Sequence, residues 1–225
     1  MNLLALETST RWLSVALWRD GAVIERRAES MNGGSALVLP WVGEVLAEAG
    51  IGMADLDAIA YGAGPGSFTG LRLACGVAQG LAFGLDRPTL GVTTLAALAL
   101  ASGERHVFAC LDARMNEVYC AAYEVTGQEV AEIQALQVAP PAEVALPAGD
   151  GWVGCGDGFA SYGDRLPQPG RIRADVFPTA AAVAALAAPR LLRGEGTDAA
   201  LAMPLYVRDK IALTTAERLA RGGLR

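Results

Sequence analysis

The chain predicts an α/β fold of two related lobes, each a mixed β-sheet with covering helices, and three observations lead there. Across the first hundred positions, apolar runs and helical stretches follow one another as three strands, helix, strand, helix, strand, helix. A second segment opens the same way at Val107: Leu6 to Ala16 lies over Leu111 to Ala121 without a gap, with an acid, Glu7 or Asp112, ending each first strand. A hydrophobic content of 52% over 225 residues is ample for the core that two such lobes need. The lobes divide as residues 1–103 and 104–225, the second smaller and degenerate, with its last helix packing back on the first.

Taken in order, Leu3 to Leu6 reads as a buried strand and Leu13 to Trp18 as a strand whose residues alternate between two faces. Asp20-Gly21 forms a hairpin turn into Ala22 to Ala28, completing a meander. Asn32-Gly33-Gly34 leads into a helix from Ser35 to Ala49. A strand ends at Tyr61, a helix follows Gly70, a strand covers Thr89 to Val92, and a helix covers Thr93 to Ala101. Between Thr126 and Pro147 the Pro-Pro pair and the Glu and Gln residues predict an irregular excursion outside the core. Ala180 to Leu192 is alanine-rich and helical, and Pro204 begins a final segment.

The most informative stretch runs from Gly62 to Gly84, where an apolar run feeds a Gly- and Pro-rich turn and then a helix rich in small residues. Such a turn either holds an anion on its backbone N–H groups or lets another backbone approach closely. Known loop motifs do not fit it. A Walker loop ends in Gly-Lys-Ser/Thr, yet the one lysine is Lys210; Thr69 stands where the dinucleotide fingerprint needs its third glycine. Ser67 directly follows Gly66, so it is a poor candidate for a hydrolase nucleophile.

Composition excludes further classes. Cys75, Cys110, Cys120 and Cys155 form no Cys-x-x-Cys pair and the one histidine is His106, which disfavours a zinc cluster and predicts reduced, buried thiols. His106 is expected as a partly exposed strand-edge residue. No apolar run approaches about 18 residues, and Glu7 comes too early for a signal peptide, so the expectation is a cytoplasmic protein without a membrane segment. A net charge of −6 argues against a broad phosphate-binding surface. The tail is the exception: Arg208, Lys210, Arg218, Arg221 and Arg225 outnumber Asp209 and Glu217, and Arg218, Arg221 and Arg225 are candidate nucleic-acid contacts.

Duplicated lobes of this order resemble the actin, hexokinase and Hsp70 superfamily, and within it the motifs resemble the TsaB (YeaZ) family. The residues that carry the resemblance are Leu6-Glu7-Thr8-Ser9, then Gly64-Pro65-Gly66-Ser67-Phe68-Thr69-Gly70-Leu71-Arg72, then Gly91-Val92-Thr93-Thr94-Leu95, and last Pro204-Leu205-Tyr206-Val207-Arg208. The match is dense as far as residue 125 and thin from there to Pro204. The catalytic relative, TsaD, carries a His-x-x-x-His metal pair where this chain has Thr94 and Leu98, which cannot grip an ion. Superfamily ATPases open each lobe with an Asp-x-Gly phosphate turn; Glu7-Thr8-Ser9 and Asp112-Ala113-Arg114 lack that glycine. Glu7 and Asp112 are therefore read as structural acids that accept hydrogen bonds from their turns, with weak Mg or nucleotide contact as the other use.

The resemblance implies a noncatalytic scaffold subunit that binds a TsaD-like catalytic subunit and enables threonylcarbamoyl transfer to the adenosine beside the anticodon of ANN-decoding tRNAs. It implies three functional partners: the TsaD-like subunit, a TsaE-like ATPase and the enzyme that makes threonylcarbamoyl-adenylate. tRNA would be met through the complex, and ATP, Mg and metal would belong to the partner subunits. The partner-binding candidates are Leu37, Val38, Trp41, Val42 and Val45 on one helix and Ala74, Val77, Ala78 and Leu81 on the next, a surface able also to pair with itself. Trp41 is the expected anchor. A metallopeptidase-like protein and a small-molecule kinase of the superfamily are the alternatives, disfavoured by the missing metal pair and phosphate-turn glycines.

Overall fold

A computed structural model describes residues 1–29 and 34–208. The first lobe comprises β1 (Asn2–Glu7), β2 (Trp12–Arg19), β3 (Ala22–Glu29), α1 (Ser35–Glu48), β4 (Ala58–Gly64), α2 (Phe68–Leu85), β5 (Thr89–Thr93) and α3 (Thr94–Ser102). The second comprises β6 (His106–Arg114), β7 (Glu117–Thr126), β8 (Glu129–Ala139), β9 (Val153–Cys155), α4 (Gly158–Tyr162), β10 (Arg171–Arg173) and α5 (Ala180–Leu192).

The two sheets have one topology. The first is ordered β3-β2-β1-β4-β5 and the second, read from its far edge, β8-β7-β6-β9-β10. In both, the first three strands form an antiparallel meander and the fourth and fifth add in parallel to the first. Side-chain alternation divides each sheet between two cores. Leu4 and Leu6 of β1, Val15 and Leu17 of β2 and Ile59 and Tyr61 of β4 face outward, under α1 and α2. Leu3, Ala5, Ala16, Ala58 and Ala60 face inward, against Ala180, Val183, Ala184 and Ala187 of α5. Alanines on both surfaces let that helix lie close to the sheet, which is why α5 is alanine-rich. Beside it, α3 gives Ala97 to the first sheet and Leu95, Leu98 and Ala99 to the second.

Three expectations need correction. The stretch after Thr126 holds an eleven-residue strand, β8, not an irregular excursion. Its pairing with β7 is broken by two register shifts near Ala122, and it lies at the sheet edge, so bulges and solvent exposure erased the simple alternation. The gapless overlay of the two hairpins fails by one residue: Leu6 pairs with Val15, but Leu111 pairs with Tyr119, where the overlay requires Cys120. Arg114, Met115 and Asn116, all with positive φ, make the second turn tighter. Finally, α2 begins at Phe68, with Ser67 as its N-cap, so Gly70 lies inside the first turn.

Candidate functional site

The motif loop joins β4 to α2 and lies directly on the turn that follows β1. A Cβ on Gly70 would collide with the Thr8 carbonyl oxygen, and one on Gly66 would stand 2.5 Å from that of Ser9. The approach is secured by hydrogen bonds: Ser67 N donates to Ser9 O at 2.7 Å, and Thr8 Oγ1 donates to Gly70 O at 2.6 Å. Of the two uses open to such a turn, close backbone approach is the one these glycines serve.

Residues 203–208 run back over this loop, so two motifs distant in sequence form one piece. Met203 N donates to Tyr61 Oη at 2.9 Å, and Leu205 N donates to Ala63 O at 2.7 Å. Burial pushes the Tyr61 phenol up to about 12, so it stays protonated. Arg72 Nε donates to Tyr206 Oη at 3.0 Å while its guanidinium stacks on Phe68, 3.8 Å from the ring centroid. Arg208 then crosses to the second lobe, where it donates to Ala113 O at 3.1 Å and pairs with Glu117.

Between the lobes lies a cavity of about 840 Å³, bounded by Thr8 to Arg11, the motif loop, the Asp112 turn, Asp157 and the 205–208 strap. Glu7 lies fully buried beneath it. Its Oε1 accepts from Ser9 N at 2.6 Å, and Oε2 rests against Gly62, where a Cβ would collide with it, with no hydrogen-bond partner among the described residues. Burial raises the Glu7 pKa, an effect only partly offset by hydrogen bonds from its own turn. Asp112 Oδ1 accepts from Arg114 N at 2.7 Å and from Tyr162 Oη at 2.8 Å; Asp112 N is itself spent on Asp157 Oδ1 at 3.1 Å. Burial raises the Asp157 pKa as well.

Several backbone N–H groups of the two turns are already spent within the chain. On one side the motif loop covers the Thr8-Ser9 turn, and on the other the amides of Asp112 and Arg114 already serve carboxylates. Thr94 and Leu98, at the positions of the relative's metal pair, are fully buried on α3. His106 opens β6, an interior strand and not an edge strand; its ring lies 5.4 Å from that of Trp152. All four cysteines are free and buried.

The partner-binding candidates divide. Val38, Val42, Val45, Ala74 and Ala78 are core residues under α1 and α2, unavailable to a partner, because the stripe they form is the one that covers the sheet. Trp41, Val77 and Leu81 are half-buried against that core, and Leu37 is exposed. Arg218, Arg221 and Arg225 lie outside the described residues.

What the sequence reading missed is the outer stripe of α2. Arg72, Gly76, Gly80, Phe83 and Gly84 are all exposed, and a Cβ on any of these three glycines would meet nothing within 4 Å among the described residues. Phe83 is 78% exposed, and Leu39 of the neighbouring α1 is 56% exposed. Each helix-interior glycine costs about 1 kcal/mol relative to alanine, and no contact among the described residues explains it. The i, i+4, i+8 spacing of glycine was the available signal. By length and composition α2 could cross a bilayer, but Leu71, Ala74, Cys75, Ala78 and Ala82 bind it into the first core.

Two lobes of one topology, each a mixed β-sheet with covering helices, define an α/β protein of duplicated lobes. A family model described as TsaD, tRNA N6-adenosine threonylcarbamoyltransferase, matches residues 35–216. The tRNA threonylcarbamoyladenosine biosynthesis protein TsaB of Escherichia coli (strain K12) is 34% identical over 225 residues, 94% of this chain and 96% of that protein. Its namesake in Haemophilus influenzae is 35% identical over 227 residues, 94% of this chain and 95% of that protein. The solved structure of YeaZ from Pseudomonas aeruginosa superposes with a TM-score of 0.86 at 42% identity, covering 91% of this chain and 99% of its own. The chain belongs to the TsaB (YeaZ) family.

Proposed function

We propose that this chain is the noncatalytic scaffold subunit of a tRNA threonylcarbamoyladenosine synthesis complex. It docks a TsaD-like catalytic subunit on the outer face of α1 and α2 and so enables threonylcarbamoyl transfer to the adenosine beside the anticodon of ANN-decoding tRNAs. ATP, Mg and metal enter through partner subunits, among them a TsaE-like ATPase, and tRNA is met in the assembly, in the cytoplasm. In isolation the same face pairs two copies of the chain. The observation that carries the docking role is the bare glycine stripe of α2 beside exposed Leu37, Leu39 and Phe83, a surface whose cost to the helix has no return among the described residues.

The test is to mix the chain with its cognate TsaD-like protein and read mass by size-exclusion chromatography with light scattering. A one-to-one complex that forms with wild type and is lost with Gly80→Arg supports the reading. A Cβ at Gly80 meets nothing within 4 Å among the described residues, so the fold is expected to survive the substitution, which circular dichroism checks. No complex under any nucleotide condition overturns the scaffold role.

A further inference from the structure

The geometry points to Arg72 as a preorganised receptor for a carboxylate side chain of the catalytic subunit, an inference that rests on reading α2 as the docking face. Arg72 is exposed in the second turn of α2, at the head of the stripe that continues through Gly76 and Gly80. Two contacts fix its guanidinium plane: the Phe68 ring at 3.8 Å and the hydrogen bond from Nε to Tyr206 Oη at 3.0 Å. Only Nε is spent, so the four donors on the two terminal nitrogens remain. Among the described residues those nitrogens have no hydrogen-bond partner, and Arg72 forms no ion pair. Two other anchored arginines are already matched: Arg11 stacks on Phe177 at 4.7 Å but pairs with Glu29, and Arg208 pairs with Glu117; Arg165, over the Tyr162 ring at 5.5 Å, lacks the second anchor that the Tyr206 hydroxyl gives Arg72.

A planar fork held in place matches a carboxylate in two parallel hydrogen bonds, and the entropy of ordering the long side chain is already spent before the partner arrives. A carboxylate suits this place better than the phosphates of a nucleic acid. The chain carries a net charge of −6, which opposes a polyanion, whereas a single carboxylate at the end of an otherwise apolar, side-chain-free stripe meets one unpaired cation. The inference also gives docking a register: the fork fixes one end of α2 and Phe83 the other, with close backbone contact between them.

The test measures heterodimer affinity with the TsaD-like subunit by titration calorimetry at low and high salt, for wild type, Arg72→Gln, Arg72→Lys and Tyr206→Phe. Arg72→Gln should weaken binding by about 30-fold or more and flatten its salt dependence. Arg72→Lys keeps the charge but loses the fork and should weaken it by about tenfold. Tyr206→Phe leaves the fork stacked on Phe68 and should stay within about threefold of wild type, which separates carboxylate binding from anchoring of the strap. Wild-type affinity in a folded Arg72→Gln protein overturns the inference. If that variant fails to fold by circular dichroism, wild-type affinity in Arg72→Lys overturns it instead. Unchanged heterodimer affinity with weakened tRNA binding by the assembly would transfer Arg72 to a phosphate and also overturn it. Failure of wild type to bind at all is a different result, since it removes the docking reading itself.

Discussion

Replacing Gly76 and Gly80 together by alanine should make the isolated chain more stable while weakening its association with the partner. Both glycines lie in the interior of an 18-residue helix with ordinary helical φ, and at either position an added Cβ meets no atom of the described residues within 4 Å. No steric term therefore opposes the gain in helix propensity, which is about 1 kcal/mol per site and about 2 kcal/mol for the pair. For a chain of this size that gain corresponds to a rise in Tm of about 4–8 °C. Thermal unfolding followed by circular dichroism over a hundredfold range of protein concentration is the assay. A fall in Tm at every concentration would refute the reasoning, because the glycines would then be in contact within the folded chain. A fall confined to high concentration would show that the wild-type stripe pairs with a second copy.

Gly70→Ala should do the opposite and cost about 1–3 kcal/mol, because the Cβ is driven into the Thr8 carbonyl and backbone cannot give way; unchanged urea midpoints would contradict this. The Glu7 pKa is raised in the folded protein, so folding binds extra protons above the ordinary value of 4.5, and stability should fall as pH rises through that window and then level off. Glu25 and Asp157 are raised by burial too, so Glu7→Gln should reduce the slope of stability against pH without abolishing it, and an unaltered slope would count against Glu7 as a contributor. Burial raises the pKa of all four thiols, Cys120 and Cys155 to about 11, so a thiol reagent at pH 8 should label none in the native chain and all four in denaturant; fast native labelling would contradict the packing.

Much of the first lobe was legible because its signals are local. The β1–β2–β3 meander and α1 follow from alternation, the Asp20-Gly21 turn and helical periodicity, and their limits agree with the structure to within a residue or two. The edge strand β8 was hidden by its two bulges. The outer face of α2 was misplaced for another reason. Its helix is apolar or small on every side, so counting hydrophobic residues selected the buried Ala74 and Ala78, while the exposed surface is marked by side chains that are missing. The joint between the motif loop and the strap could not be read locally at all, since Tyr61–Met203 and Arg72–Tyr206 span 142 and 134 residues.

Glycine therefore carries two opposite meanings within one short stretch of this chain. At Gly66 and Gly70 the missing side chain is filled by the Thr8-Ser9 backbone, so the motif that carries the family resemblance describes a joint inside the fold. At Gly76, Gly80 and Gly84 it is filled by nothing among the described residues. The first set fixes where α2 begins and which way it points; the second exposes the backbone of the helix so positioned. Arg72 and Phe68 belong to both, since the strap that closes the joint also holds the guanidinium flat at the head of the bare stripe. On this account the recognisable motif acts at one remove from function: it orients a surface, and a partner docking on that surface would also press on the strap whose Arg208 reaches the second lobe.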